Sequence, residues 1–259
     1  MRLIDSHCHL DDDRYDLDRE QIILRARARG IDRIVLPATV AERWLKIRQI
    51  ALDYDGVYPA YGLHPMFTEQ HKTRHLTELD DWLDREQAVA VGECGLDFFR
   101  SRADEKWQLQ LFTEQLQLAK NHNLPVIVHV RKAMDQVISL LRKSKPQAGG
   151  VIHSFAGSLQ QAQQLIDLNF KLGIAATVDF ERAKKLRTVV ASIDVRGLLL
   201  ESDAPDQPGI HHRGERNEPA FITEHFKTMA SLRGISEEEM RQTLNSNTLS
   251  LFKLEADST

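Results

Sequence analysis

The sequence predicts an α/β protein, a single-domain (β/α)8 TIM barrel over residues 1–259 that ends in C-terminal helices. Three observations support this fold. Eight short apolar or β-branched runs recur along the chain, segments with helical periodicity separate them, and the length fits one barrel of about 250 residues. A doubly wound sheet is the alternative, but its phosphate-binding Gly-x-Gly-x-x-Gly turn does not follow the first run.

The eight runs have the composition of parallel strands that are buried on both faces, because several are apolar almost throughout. Strands separated by helical segments pair in parallel, so all their carboxyl ends meet at one end of the barrel. The predicted strands occupy residues 2–7, 32–38, 56–62, 88–93, 125–130, 150–155, 170–175 and 197–202.

The segments between the runs are predicted to be amphipathic helices. Apolar residues follow a 3, 4, 3 spacing in 42–54 and in 104–121, and capping boxes begin at Ser158 and Ser236. One long loop, 204–218, follows the last strand. It therefore lies at the end of the barrel where enzymes of this architecture place their active sites.

Composition and charge narrow the functional classes. The chain has 34 basic and 38 acidic residues, so no global positive field draws it to polyanions. No run reaches the roughly 20 apolar residues of a membrane span, and no signal-like segment opens the chain. Two cysteines, Cys8 and Cys94, are too few for a disulfide framework, and strand alternation turns both away from the neighbouring candidate ligands. We expect a cytoplasmic protein without a membrane or an obligate protein partner.

Ligand-type side chains follow five of the predicted strands. These residues are His7, His9, Glu93, His129, His153 and Asp203. A single buried histidine is more often a core residue than a ligand. Burying four histidines and two carboxylates without a cation would be costly, however, so the set predicts a metal site. Six ligands exceed what one catalytic zinc needs and suit two divalent ions, Zn, Mn or Mg, with Glu93 between them.

Further polar residues share the same end of the barrel. Asp5 and Glu201 have the strand parity of the ligands and are predicted to orient them from one layer below, a buried ion pair being the alternative. His64 follows the third strand and Arg131 has the parity of His129. Either can contact an anionic substrate, although a packed or solvated role is also open.

The loop 204–218 contains a local basic cluster of His211, His212, Arg213 and Arg216. Solvated charges are the default interpretation of such a cluster. Because the loop begins directly after Asp203, we predict that Arg213 and Arg216 contact substrate phosphate at the rim of the site.

Seven short motifs contain the candidate ligands and their neighbours: DSHCHL (5–10), GLHP (62–65), GECGLDF (92–98), VIVHVR (126–131), HSFAG (153–157), ESDAP (201–205) and RNEP (216–219). By these motifs and their order, the sequence resembles the TatD family of metal-dependent deoxyribonucleases, which is part of the amidohydrolase superfamily. The resemblance covers nearly the whole chain.

The resemblance implies an exonuclease-like hydrolase that cleaves phosphodiester bonds of DNA at a binuclear metal centre. Glu93 would ligate both metals, and Asp203 would accept the proton of the attacking water. His64 would be a third catalytic residue beside Glu93 and Asp203. Together with Arg131, His64 would also hold the scissile phosphate. The two ligand sets implied are His7, His9, Glu93 and Asp203 for one metal, and Glu93, His129 and His153 for the other.

Three positions depart from the family pattern. Lys132 replaces a usual acid, and Asp206 and Glu215 add negative charge at the rim, which leaves open whether long DNA can enter. One alternative function is an amidohydrolase-like enzyme that acts on a small amide, lactone or phosphoester. Many such relatives carry a carboxylated lysine where this chain has Glu93, which favours the nuclease. The other alternative is a non-enzymatic metal-binding scaffold, and the intact ligand set argues against it.

Overall fold

The computed structural model describes residues 2–255, and these form the predicted barrel of eight parallel strands in chain order. The last strand returns to the first: the Ser6 backbone N–H donates to the Leu200 carbonyl at 2.9 Å, and Cys8 forms a parallel bridge with Ala204. The strands are β1 (Leu3–Asp5), β2 (Ile31–Pro37), β3 (Val57–Tyr61), β4 (Ala90–Asp97), β5 (Val126–Arg131), β6 (Gly150–Ile152), β7 (Phe170–Ile174) and β8 (Leu198–Leu200).

Helices follow the strands, and two of them come after β8, as predicted for the C-terminal segment. The capping box at Ser158 is present, since its hydroxyl accepts from Gln161 N at 3.2 Å and its N–H donates to the Gln161 side chain at 2.9 Å. The helices are α1 (Arg19–Ala28), α2 (Trp44–Asp53), α3 (Arg74–Arg85), α4 (Glu105–Asn121), α5 (Met134–Ser144), α6 (Leu159–Asp167), α7 (Lys184–Ser192), α8 (Ile222–Arg233) and α9 (Glu237–Phe252).

Several strands end earlier than the sequence predicts. β1, β6 and β8 stop before the candidate ligands, although isolated hydrogen bonds to neighbouring strands continue beyond them. Ser154 and Asp203 have positive φ angles of 45° and 54°, a left-handed conformation that ends an extended strand. β4 is the opposite case, since it runs four residues beyond Glu93. The ligands after β1, β6 and β8 therefore lie on the first turn of a loop.

The interior of the barrel is an apolar floor beneath the site. One residue from each of six strands packs there, and the end of α9 closes the layer from the other side with Leu251 and Phe252. The six residues are Val35, Ala60, Ala90, Ile127, Val151 and Leu199. Because this floor is filled with side chains, the polar groups above it meet solvent at the carboxyl ends of the strands.

Both cysteines are buried free thiols that belong to the outer apolar core, so they point away from the site as predicted. Cys8 Sγ lies 3.5 Å from the Ala204 carbonyl oxygen, and Cys94 Sγ lies 3.7 Å from that of Ile127. Within residues 2–255, no helix combines the length and the apolar character that a bilayer crossing requires.

Candidate metal centre

A cavity of about 750 Å³ opens at the carboxyl ends of the strands, and the six predicted ligands converge at its base. Glu93 is at the centre. Its Oε2 lies 3.2 Å from His7 Nε2 and 3.4 Å from His9 Nε2. Its Oε1 lies 3.0 Å from both His129 Nδ1 and His153 Nε2. One carboxylate therefore presents one oxygen to each of two pairs of imidazoles.

The first half of the site is formed by His7, His9, Asp203 and Glu93 Oε2. The two Nε2 atoms of His7 and His9 face each other at 3.2 Å, and Asp203 Oδ1 lies 3.6 and 3.7 Å from them. Ligand atoms about 2.1 Å from one ion lie roughly 3.0–3.4 Å apart in octahedral or tetrahedral geometry. These four atoms therefore have the chemistry and close to the spacing of a metal-ligand set.

The second half of the site is formed by His129, His153 and Glu93 Oε1. His129 Nδ1 lies 3.3 Å from His153 Nε2. The other ring nitrogen of His129, Nε2, donates to Asp97 Oδ2 at 3.0 Å. This hydrogen bond fixes the tautomer of His129, so that the lone pair of Nδ1 points to Glu93 and His153.

The sequence analysis did not identify Asp97 as a functional residue, although it lies in the GECGLDF motif. A signal was available, because Asp97 is four residues beyond Glu93 and an even spacing on one strand places both side chains on the same face. The prediction that the fourth strand ends at residue 93 concealed it.

Two buried acids lie beneath the ligands. Glu201 Oε1 lies 3.5 Å from His153 Nδ1, which has no hydrogen-bond partner among residues 2–255, and it accepts the Ser154 backbone N–H. That Glu201 orients His153 stays a prediction. Asp5 has a different partner from the one predicted. Its Oδ1 accepts the backbone N–H groups of His7 and Ser202 at 3.2 and 2.9 Å. Asp5 therefore holds the ligand-bearing backbone rather than a ligand ring.

His64 contacts the same carboxylate as the second half of the site. Its Nε2 lies 2.9 Å from Glu93 Oε1, and its Nδ1 accepts the Met66 backbone N–H at 3.1 Å. Because Nδ1 is the acceptor, the ring hydrogen is on Nε2, which donates to Glu93. Burial lowers the pKa of His64 to about 4, so the ring is neutral near pH 7. His64 is therefore placed as a hydrogen-bond donor rather than as a metal ligand.

Glu93 is fully charged in this environment. Burial by itself would raise its pKa, but the imidazoles of His64, His153 and His7 act together with the His129 hydrogen bond and hold the pKa well below its ordinary value. A charged carboxylate surrounded by nitrogen donors is what a site for divalent cations requires.

The three candidate phosphate-binding arginines have different surroundings. Arg131 lines the cavity, with its guanidinium carbon 3.6 Å from the centroid of the Phe99 ring. Arg213 lines a neighbouring cavity of about 590 Å³ instead. Arg216 forms an ion pair with Asp18 at 2.6 Å. Of the three predicted arginines, the structure brings only Arg131 to the metal-site cavity.

Arg216 and its neighbour Asn217 anchor the loop 204–218. The Asn217 side-chain amide donates to the carbonyl oxygens of Ser202 and Asp206 at 2.9 and 2.7 Å. The RNEP motif therefore fixes the chain on both sides of Asp203. Arg216 does not reach the metal-site cavity because it is paired with Asp18. Asp18 is far from Arg216 in sequence, so no local pattern reveals the pair.

A comparison with protein families agrees with these motifs. The family model described as "TatD related DNase" matches residues 4–253. The chain belongs to the TatD family. It is 39% identical to the uncharacterized metal-dependent hydrolase YjjV of Escherichia coli K12, with 98% of each chain covered. The crystal structure of YjjV superposes with a TM-score of 0.95 and covers 98% of this chain and 99% of YjjV.

A second TatD family relative has a name that states an activity. The chain is 32% identical to a protein of Cronobacter sakazakii named 3'-5' ssDNA/RNA exonuclease TatD, over 96% of this chain and 97% of that protein. A TatD family hydrolase of Entamoeba histolytica, 22% identical, shares the fold with a TM-score of 0.83. The protein is accordingly a metal-dependent hydrolase with the barrel fold of the TatD family.

The acidic positions that depart from the TatD family pattern are paired in the structure. Asp206 lines the cavity, but Arg14 binds both of its carboxylate oxygens at 3.0 and 3.1 Å. Glu215 accepts from His212 Nδ1 at 2.9 Å. The added negative charge at the rim is therefore partly compensated by neighbouring cationic or donor groups.

Replacing Asp97 by asparagine tests how this TatD family site orients His129. The amide accepts a weaker hydrogen bond from His129 Nε2 than a carboxylate does, so we expect metal affinity to fall about 10- to 100-fold. Competition with a chelator of known affinity, followed by metal analysis, measures the change. Asp104→Asn, a substitution on the neighbouring α4 cap without a contact to His129, should leave metal affinity unchanged. Equal affinities for Asp97→Asn and the wild type would contradict the assigned role.

Proposed function

We propose that this protein is a metal-dependent phosphodiesterase that uses two divalent ions to remove nucleotides from the 3' end of single-stranded DNA. The observation that carries the proposal is the position of Glu93, whose two oxygens face two separate pairs of imidazoles. Because each oxygen faces a different pair of rings, the arrangement favours one ion on each side of the carboxylate over a single ion between all four rings. Two ions a few ångströms apart, bridged by this carboxylate, use every one of these donors.

The residues present fit such a pair of ions. His7, His9 and Asp203 would hold one ion, His129 and His153 the other, and Glu93 both. Ions bound there would lower the pKa of water toward about 7 and offset the charge of a phosphodiester. Four imidazoles favour zinc, while the carboxylates and the phosphate of the substrate also permit manganese or magnesium.

Asp203 is placed to accept a proton from the attacking water. Its Oδ1 faces His7 and His9, while the Gln207 side-chain amide donates to Oδ2. Gln207 thereby keeps the carboxylate in one orientation. Because Asp203 lines the open cavity, its carboxylate would be accessible to a water molecule held at the site.

Arg131 lies on the cavity wall and would supply the donors that a phosphate group needs. The single N–H of neutral His64 donates to Glu93 Oε1, so His64 would contact phosphate only by exchanging this hydrogen bond when the substrate binds. Arg131 rests on the face of Phe99, which is about half exposed at the mouth. An exposed aromatic ring beside a guanidinium suits an unpaired nucleobase, because stacking holds single strands without sequence preference.

The direction of cleavage rests on the relative that is named a 3'-5' ssDNA/RNA exonuclease. The shape of the site agrees with a strand end as substrate. The cavity of about 750 Å³ is lined by side chains from most of the strand ends, and the net charge of −4 gives the chain no global attraction for a long polyanion.

The test is the digestion of a short single-stranded DNA labelled at its 5' end. Protein stripped with a chelator should be inactive, and Mn²⁺, Zn²⁺ or Mg²⁺ should restore a ladder of products that shortens from the 3' end. A label at the 3' end should be released as a mononucleotide. Duplex DNA with blunt ends and a small phosphodiester are compared under the same conditions. Lack of cleavage of every nucleic acid by protein that contains two ions per chain would contradict the proposal.

A further inference from the structure

Asp11 is a buried carboxylate beside the metal centre, and the predicted ligands do not use it. The residue is 2% exposed and lines the metal-site cavity. Its Oδ2 lies 3.6 Å from Arg43 Nη1, whereas Oδ1 has no hydrogen-bond partner among residues 2–255. An unpaired buried carboxylate oxygen is costly, so a group that enters the cavity is expected to supply the missing donor.

Arg43 fixes the position of Asp11 without satisfying Oδ1. Its Nη1 donates to the Asp11 backbone carbonyl at 2.7 Å, and its guanidinium also binds both carboxylate oxygens of Asp13 at 3.1 and 2.9 Å. The cation is thus engaged by several acceptors, and Asp11 Oδ1 remains buried without a partner among residues 2–255. Asp11 follows His9 by two residues, and both residues line the metal-site cavity.

We propose that Asp11 Oδ1 accepts a hydrogen bond from the free 3'-hydroxyl of the terminal nucleotide, an inference that rests on the proposed function. A carboxylate repels phosphate groups, so the partner must be an uncharged donor. In a nucleotide the donors are sugar hydroxyls and base amino groups. Every 3' end has the hydroxyl, and it belongs to the nucleotide whose phosphate lies at the metals, whereas amino groups vary with the base.

This contact explains how the site selects a strand end. An internal 3'-oxygen is esterified, so it has no hydrogen to donate and brings a negative phosphate toward Asp11. A 3'-phosphate end is rejected for the same electrostatic reason. Asp11 is therefore a specificity-determining residue, while the groups that carry out the hydrolysis are those of the metal centre.

The test compares kcat/KM for three oligonucleotides that differ only at the 3' end, which is a hydroxyl, a hydrogen or a phosphate. For the wild type we expect the hydroxyl end to be preferred over the hydrogen about tenfold or more, and over the phosphate about 100-fold or more. In Asp11→Asn, cleavage of the 3'-phosphate substrate should rise, and the preference for the hydroxyl over the phosphate should fall at least about tenfold. A merely structural role would lower all three values together and would overturn the proposal.

Asp12→Asn is the matched control, because it removes the same charge one residue further along. The Asp12 carboxylate already binds Arg14 at 2.9 Å, so this variant should keep the wild-type ratios. If Asp11→Asn does not fold, cleavage of the three substrates by the wild-type protein still tests the inference. Equal cleavage of the three ends by the wild type overturns the Asp11 inference alone. Lack of cleavage of any oligonucleotide overturns the proposed function as well.

Discussion

Replacing Glu93 by glutamine is expected to reduce phosphodiester hydrolysis by about 10⁴-fold or more, because each half of the metal centre depends on one oxygen of this carboxylate. An amide has one oxygen and one nitrogen, and the NH₂ group cannot ligate a metal. One half of the site therefore loses a ligand and gains a donor that faces two imidazoles. The neutral side chain also removes the negative charge that His64, His153 and His7 surround.

Metal analysis and single-turnover kinetics on the same sample measure this effect. We expect Glu93→Gln to contain no more than one ion per chain and the wild type two. Glu105→Gln is the control, since Glu105 is a glutamate on α4 that pairs with Arg102 at 2.6 Å away from the site. It should retain both ions and full activity. Two ions and substantial activity in Glu93→Gln would contradict the bridging role.

Replacing Asp203 by asparagine is the second large effect. The amide is isosteric and its oxygen can still face His7 and His9, so metal binding should survive better than in Glu93→Gln. What would be lost is the proposed proton acceptor, and we therefore expect a fall in kcat of about 10²- to 10⁴-fold with little change in KM. Comparing kcat at full metal occupancy with the metal content separates the two roles of this side chain.

Asp206→Asn is the charge-matched control for this variant. Asp206 lines the same cavity three residues later, but Arg14 holds its carboxylate at 3.0 Å. We expect its activity to stay within about threefold of the wild type, the scale of an exposed ion pair. If Asp203→Asn lost its metal ions together with its activity, Asp203 would be mainly a ligand. If it kept wild-type kcat, another group would accept the proton.

The barrel and the convergence of the six ligand-type residues followed from local patterns. Strand periodicity and parallel topology together require that residues at the carboxyl ends, such as His7 and His153, meet at one end of the barrel. The exact strand ends could not be predicted. Ser154 and Asp203 have left-handed backbone conformations, which are uncommon outside glycine and which the local sequence did not indicate.

The surroundings of the ligands were less predictable, because they depend on pairs distant in sequence. Arg216 reads as an exposed cation in a loop, yet it is bound to Asp18 near the start of the chain. The sequence predicts that Asp206 adds a repulsive charge at the rim, but in the structure Arg14 forms an ion pair with it. Asp97 was missed because β4 continues beyond Glu93 through Gly95, a residue that is unfavourable in strand interiors.

The most direct test of the central claim is anomalous diffraction from crystals of the protein grown with zinc or manganese, recorded at the absorption edge of the metal. The account predicts two peaks a few ångströms apart on either side of the Glu93 carboxylate, one beside His7 and His9 and the other beside His129 and His153. A single peak at full occupancy, or peaks away from Glu93, would contradict a binuclear centre.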